Sequence, residues 1–240
     1  MNVANKTILI TGANRGIGWA LVNGALKRGA NKVYAGTRGS LPVRDERVKP
    51  VTLDVTNDSE IRRAADGVDT LDMLINNAGI SLQDDLSNPG IIHRHLAVNC
   101  FGLVNVTRAF LPLLTRSKGA VLNILSLASI ASVPFSPAYA MSKAAALSAT
   151  QSLRMLLTRE GITVQAVFPG PVDTDMTRDL ELPKASPESV ALAIFDGLEN
   201  GDEDIFPDSM SQSLAEAWRT GAVKALERQF TALVPQGATN

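Results

Sequence analysis

The 240-residue sequence contains a single cysteine, Cys100, so no disulfide can form within the chain and the C-x-x-C spacing of zinc and redox sites is missing. A reducing, cytoplasmic setting is expected on that ground. Histidine is almost as scarce. His93 and His95 are two positions apart, so on a helix they point in different directions and cannot chelate one ion from one face; both are expected to be solvated or capping. No basic run of five residues occurs, and 23 Lys and Arg against 24 Asp and Glu leave a net charge of -1. That balance gives no long-range pull toward nucleic acid or an anionic membrane, and neither is expected as a partner. The apolar kernel before Gly12 spans four residues, too few for the core of a signal peptide. Gly119–Ser142 carries no charge over 24 positions, the length of a membrane span. It also holds Asn123, five serines, Pro134 and Pro137, which favour a buried strand followed by a polar loop. Repeats, low-complexity tracts and Pro/Ser-rich linkers are missing as well.

What remains is a core former. With 45% apolar residues, a chain of this length buries about 70–75% of its unfolded surface, and a single domain is expected over residues 1–240. Short β-type apolar runs alternate with longer segments of helical period, the signature of a doubly wound α/β fold with a parallel sheet of about seven strands. Strands are expected at Thr7–Ile10, Lys32–Ala35, Val51–Val55, Leu71–Ile75, Ala120–Leu125 and Ile162–Phe168, with a last short one at Ile205 and Phe206. Helices follow from Ile17 to Gly29, from a Thr56 cap through Ala65, over Ile91–Leu114, over Ala138–Arg159, and from Pro187 toward Leu198. Between the second and third strands, Gly39, Pro42 and a charged run leave little room for a helix. Met73, Met141 and Met155 fall in apolar pattern and are expected in the core. In such a fold, ligand lies beyond the carboxyl ends of the strands, where strand order reverses.

The first strand runs into Thr11-Gly12-Ala13-Asn14-Arg15-Gly16-Ile17-Gly18 and then into helix. Glycines let the backbone turn and approach a phosphate closely, while the helix amides and dipole favour negative charge, so a dinucleotide pyrophosphate fits here. The G-x-x-x-G-x-G spacing is neither G-x-G-x-x-G nor a Walker loop. At the end of the second strand, where an acidic residue usually holds a ribose hydroxyl, this chain has Thr37-Arg38. With Arg15 nearby, two guanidinium forks suit a 2′-phosphate, and NADP(H) is expected over NAD(H).

Tyr139 and Lys143 are four apart on a predicted helix and share a face. An ammonium beside a phenol favours the phenolate, and lowering the tyrosine pKa from about 10 to near neutrality takes about 4 kcal/mol, expected from a cofactor's oxidised ring and a desolvated lysine together. Ser126, thirteen residues earlier at the end of the fifth strand, would meet the same edge and bond a substrate oxygen.

The turn TGANRGIG, Asn76-Asn77-Ala78-Gly79, Ser126, Tyr139-Ala140-Met141-Ser142-Lys143 and Pro169-Gly170-Pro171-Val172-Asp173-Thr174, in order, resemble the short-chain dehydrogenase/reductase family over residues 5–175. The resemblance implies that Tyr139 exchanges a proton with the carbonyl or alcohol oxygen, Lys143 holds the nicotinamide ribose and lowers the tyrosine pKa, and Ser126 steadies the substrate oxygen. It implies that Asn99 holds a relay water, Asp54 and Val55 flank the adenine, Asn77, Ala78 and Gly79 line the adenosine side, and Thr174 and Val172 meet the nicotinamide amide. A small-molecule carbonyl or alcohol substrate is expected, selected by Leu127–Ser136 and Asp175–Pro183, where Met176, Leu180 and Leu182 point to moderate apolarity. A homodimer or homotetramer through residues 91–114 and 138–159 is expected too. Two alternatives stay open: a catalytically silent NADP(H) sensor or scaffold, and a 3-ketoacyl reductase. Leu214–Leu233, with Trp218, Leu226 and Phe230, departs from the family's common ending and is expected to be an amphipathic helix serving as core, interface or lid.

Overall fold

In the computed structural model, which describes residues 1–41 and 45–233, seven parallel strands form one sheet; Pro42 lies outside the described residues. The strands are β1 (Thr7–Thr11), β2 (Lys32–Thr37), β3 (Val48–Thr52), β4 (Met73–Asn76), β5 (Ala120–Ile124), β6 (Thr163–Val167) and β7 (Asp204–Ile205), in spatial order β3-β2-β1-β4-β5-β6-β7. The order reverses between β1 and β4, which opens a crevice at their carboxyl ends. Side chains alternate across the sheet. Ile8 and Ile10 of β1 pack with Leu21, Ile194 and Phe195 on one face, whereas Leu9 packs with Val106, Phe110 and Leu114 on the other. Burial of each such side chain stabilises by about 1.5–3 kcal/mol, so the strand ends that carry the site are held by both layers.

One layer is α1 (Gly16–Lys27) against the C-terminal helix Pro187–Asn200; the other contains α2 (Asp58–Asp66), α3 (Pro89–Leu96), α4 (Leu103–Ser117) and α5 (Pro137–Leu157). The Pro187–Asn200 helix is α6, followed by α7 (Ser209–Gln212), α8 (Ala215–Thr220) and α9 (Ala222–Ala232). Between α3 and α4 the helix widens to a π turn at Ala97–Gly102. The continuous helical segment Pro89–Ser117 is long and apolar enough to cross a membrane, but Val106, Phe110 and Leu114 within it are fully buried against the sheet.

Several expected boundaries move. The third strand starts and ends three residues early, because its register with β2 pairs Val33 with Val48 and Thr37 with Thr52. This is an edge strand, with Lys49 and Pro50 exposed, and the apolar alternation continues beyond it into Leu53 and Val55, which are buried at the crevice. Asn57, not Thr56, caps α2, accepting from the Ser59 and Glu60 amides, while Thr56 bonds the Asp54 carboxylate. Met141 is 46% exposed rather than core. The expected helix Leu214–Leu233 is broken at Gly221 into α8 and α9; Trp218 is buried, but Leu226 and Phe230 face solvent.

A buried ionic cluster ties this C-terminal part down. Arg154 of α5 pairs with Asp204 at 2.8 Å and with Glu227, while Lys224 reaches Asp204 at 2.7 Å and Glu227 at 3.0 Å. The Trp218 indole donates to the same Asp204 carboxylate at 2.8 Å. Every charge in the cluster has an opposite partner, the condition under which a buried charge is tolerated.

Candidate active site

The crevice at the sheet's carboxyl edge is a cleft of about 750 Å³, within the range of small-molecule sites. Its wall begins with the glycine turn. Gly12 and Gly16 adopt φ of +64° and +52°, left-handed values that burden any other residue. Gly18 is required for a different reason: a Cβ there would lie 2.2 Å from the Gly12 carbonyl oxygen. α1 can therefore start against the turn, and its first amides have no side-chain cap, which leaves them for an anion in the cleft. The turn is stitched to Asn77–Gly79: the Thr11 hydroxyl accepts from the Asn77 and Ala78 amides, and Asn77 Nδ2 donates to the Thr11 and Gly12 carbonyls.

Next to it lie Thr37, Arg38 and Gly39, with the Thr37 hydroxyl accepting from the Gly39 amide at 3.0 Å. Both expected arginines line the cleft, and each is paired with a carboxylate. Arg15 pairs with Asp175 at 3.0 Å and Arg38 lies 3.6 Å from Asp54, each with a side chain roughly 70% exposed. Such exposed pairs contribute about 0–1 kcal/mol, so both guanidiniums exchange partners readily. Although burial pushes the Asp54 carboxyl up, hydrogen bonds from Thr56 and the Arg38 charge bring it below its ordinary value. Asp54 and Val55 line the cleft together with Leu53.

At the other end stand Ser126, Tyr139 and Lys143. Ser126 follows β5 and starts a short 3-10 turn, its Oγ accepting from the Ala128 amide. Tyr139 and Lys143 lie in the first two turns of α5, with Lys143 Nζ 5.8 Å from the phenol ring centroid and 2.7 Å from the Ile124 carbonyl to which it donates. Burial lowers the Lys143 pKa to about 8. Burial raises that of Tyr139, with the Ser126 hydroxyl acting in the opposite direction. In the protein by itself, desolvation of the phenolate outweighs a lysine turned toward a backbone carbonyl.

The start of α5 is anchored from the loop after β4. The Asp84 carboxylate accepts from the Ala138 amide, and the Ser136 hydroxyl donates to the Leu82 carbonyl. Leu82 in turn donates its amide to His95 Nε2 at 2.9 Å, and Nδ1 of the same ring lies 3.0 Å from the Ile91 carbonyl. His95 is fully buried, edge-on to Tyr139 at 6.3 Å between centroids, which corrects the expectation of a solvated or capping residue. Burial pushes its pKa down, and the two bonds fit a neutral ring with its proton on Nδ1.

Asn99 sits in the π turn and does not line the cleft. Its Oδ1 accepts from the Ile80 amide, and its Nδ2 donates to the Ile80 carbonyl and to Ser142 Oγ. Its side chain thus clamps Ile80, after β4, to Ser142 of α5. The floor is Pro169 and Gly170 after β6, then buried Val172 and Thr174. A Cβ on Gly16 would meet the Thr174 methyl at 3.0 Å, so this loop abuts the glycine turn. Asp173 and Ala185 pair across its base.

Every residue expected to touch cofactor therefore lines one cleft with Ser126. Leu53, Ile80, Val98, Ile124 and Leu125 also line it and were not anticipated. Leu53, Ile124 and Leu125 fall at strand ends, the positional signal that marks them, whereas Ile80 comes from the segment after β4 and Val98 from the π turn.

The family model described as short chain dehydrogenase matches residues 6–185. The ketoacyl reductase HetN of Nostoc sp. is 31% identical over 225 residues, 85% of this chain and 78% of its own length. Estradiol 17-beta-dehydrogenase 2 of Mus musculus is 33% identical over 73% of this chain, which spans only 50% of that relative. A crystal structure of a short chain dehydrogenase from Burkholderia cenocepacia in complex with NADP superposes with a TM-score of 0.87 at 35% identity, covering 95% of this chain and 98% of that one. A seven-stranded sheet carrying the glycine turn, with three quarters of the chain matched by one family, leads to a single assignment: this chain belongs to the short-chain dehydrogenase family of oxidoreductases.

Proposed function

We propose that the chain is an NADP(H)-dependent carbonyl reductase, reversible toward the alcohol. The observation that carries this reading is that Ser126, Tyr139 and Lys143 open into the same cleft as the glycine turn and Thr37-Arg38. The residues fit a dinucleotide: helix amides without a side-chain cap for the pyrophosphate, Arg15 and Arg38 for a 2′-phosphate, and Leu53 and Val55 against the base. The nicotinamide cofactor supplies or takes up the hydride. Tyr139 keeps its proton at neutral pH and donates it to the carbonyl oxygen as charge develops there. Ser126 Oγ steadies the same oxygen through its hydroxyl hydrogen, its lone pair being engaged by the Ala128 amide. Lys143 holds a cation beside the phenol ring, and a phenolate left after proton transfer is stabilised by it. Asn99, Asp84 and His95 position these groups rather than touching substrate.

NADP in the Burkholderia neighbour supports the cofactor assignment, and the named activities of the two relatives both concern carbonyl or alcohol carbon. A ketoacyl thioester is one member of that class. Met141 and Leu156 of α5, 46% and 64% exposed, support pairing of two copies through this helix and α4. Consumption of NADPH on presenting neutral ketones and aldehydes, against NADH as the control, tests the activity. The pH dependence follows from Lys143: its ammonium is lost as pH rises through about 8, so kcat/KM for NADPH is expected to fall above that pH and to stay level below it. No consumption with any carbonyl would favour the sensor alternative.

A further inference from the structure

We infer that the cleft continues past Tyr139 into a site for neutral, apolar carbonyl compounds and their alcohols, walled by Met176 and by Met210 of the segment after β7; the inference rests on the reductase reading for its hydride chemistry only. Charge argues first. With Ser126 and Tyr139 the cleft is lined by Ile80, Leu125, Pro169, Gly170 and Met176, the last flanked by Asp175 and Thr177. The cation at this end, Lys143, is 6% exposed and donates to the Ile124 carbonyl, and Asp175 is held by Arg15 and Arg178. Among the described lining residues each cation, Arg15, Arg38 and Lys143, already has a partner, so this end offers no dedicated anchor for a substrate carboxylate or phosphate.

Apolar exposure argues second. Among the described residues, the loops after β4, β5, β6 and β7 carry Leu86, Ile130, Phe135, Met176, Leu182 and Met210, each 40–47% exposed, and the loops after β1, β2 and β3 carry no exposed large hydrophobic. Single exposed apolar residues are ordinary, but their confinement to one end of the carboxyl edge marks a binding surface.

The position of Met210 is set by an anchor that lies outside the matched residues 6–185. Asp208, 7% exposed, accepts the Gly170 amide at 2.7 Å through Oδ2 and the Ser211 amide at 2.9 Å through Oδ1. A reciprocal cap between Asp208 and Ser211 then starts α7. Met210 Cβ is thereby held 3.4 Å from the point where a Gly170 side chain would begin, on the cleft floor. Methionine's flexible thioether adapts to apolar ligands of irregular shape.

The test is calorimetric binding to the full chain with NADP⁺, a combination that cannot reduce a ketone. The probes are butanone, hexanone and octanone, and an octanone chain ending in a carboxylate. Each methylene that enters the site is expected to tighten Kd by about two- to fourfold, and the carboxylate to bind more weakly than octanone. Met176→Ser with Met210→Ser is expected to flatten the series. A flat series in the natural chain, or tighter binding of the carboxylate, overturns the site whatever the turnover. A steep series in a protein that consumes no NADPH with any ketone would keep the site and overturn the reductase reading instead.

Discussion

Replacing Tyr139 with Phe is expected to lower kcat by about a hundredfold to ten-thousandfold, the contribution of a positioned proton donor, while NADPH binding stays nearly unchanged. The substitution removes one oxygen. The ring remains, with its edge toward His95 and the Lys143 ammonium 5.8 Å from its centroid, so the packing that orients the first turns of α5 is kept. The anchors of that helix, Asp84 on the Ala138 amide and Asn99 on Ser142, do not involve the phenol oxygen. Single-turnover reduction measured beside an NADPH fluorescence titration separates the two quantities. Full activity in Tyr139→Phe would mean that another group, the Lys143 ammonium first among the described lining residues, protonates the product. Because burial holds the phenol protonated, the natural enzyme is predicted to work best in the reducing direction at neutral pH. Alcohol oxidation needs the phenolate, and its rate should climb with pH until Lys143 loses its charge.

The second large effect concerns the 2′-phosphate. Converting Arg15 and Arg38 together to Gln is expected to weaken NADPH by a few hundredfold and to leave NADH nearly untouched. A hydrogen bond from a charged donor contributes about 1.5–3 kcal/mol. Against that, each arginine gives up an exposed carboxylate, Asp175 or Asp54, worth about 0–1 kcal/mol. From the middle of each range, about 2.2 less about 0.5 for each arginine, the pair nets about 3.5 kcal/mol, a few hundredfold at about 1.4 kcal/mol per tenfold. Steady-state KM values for both cofactors in the natural chain and the double variant give the result. Equal use of NADH and NADPH by the natural chain would remove the arginines from cofactor selection.

The sheet and the glycine turn were legible because both rest on local chemistry. Runs such as Ile8–Ile10 and Leu74–Ile75 are continuous because both faces are buried, and Gly12 and Gly16 stand where positive φ demands them. The edge strand β3 was misplaced because one face is exposed, and its apolar alternation belongs to the cleft wall at Leu53 and Val55. Residues acting through long-range bonds left no mark. His95 looks like any helical histidine until Leu82 is seen to donate to it, and Asp208 is one acidic residue among many until it meets Gly170, 38 positions away. Arg15 and Arg38 were located correctly, yet their partners in the structure are carboxylates brought from Asp175 and Asp54. The four-residue spacing fixes the proximity of Tyr139 to Lys143, whereas desolvation, a property of the folded cleft, is legible only in the structure.

The central claim is that hydride passes directly between nicotinamide and a carbonyl carbon in this cleft. NADPH carrying deuterium at the transferred nicotinamide position, incubated with octanone and the protein, tests it by mass spectrometry of the product. The expected result is octanol with one deuterium on the carbinol carbon, formed by the natural chain and not by Tyr139→Phe. Octanol without the label, or no octanol from the natural chain, would contradict it.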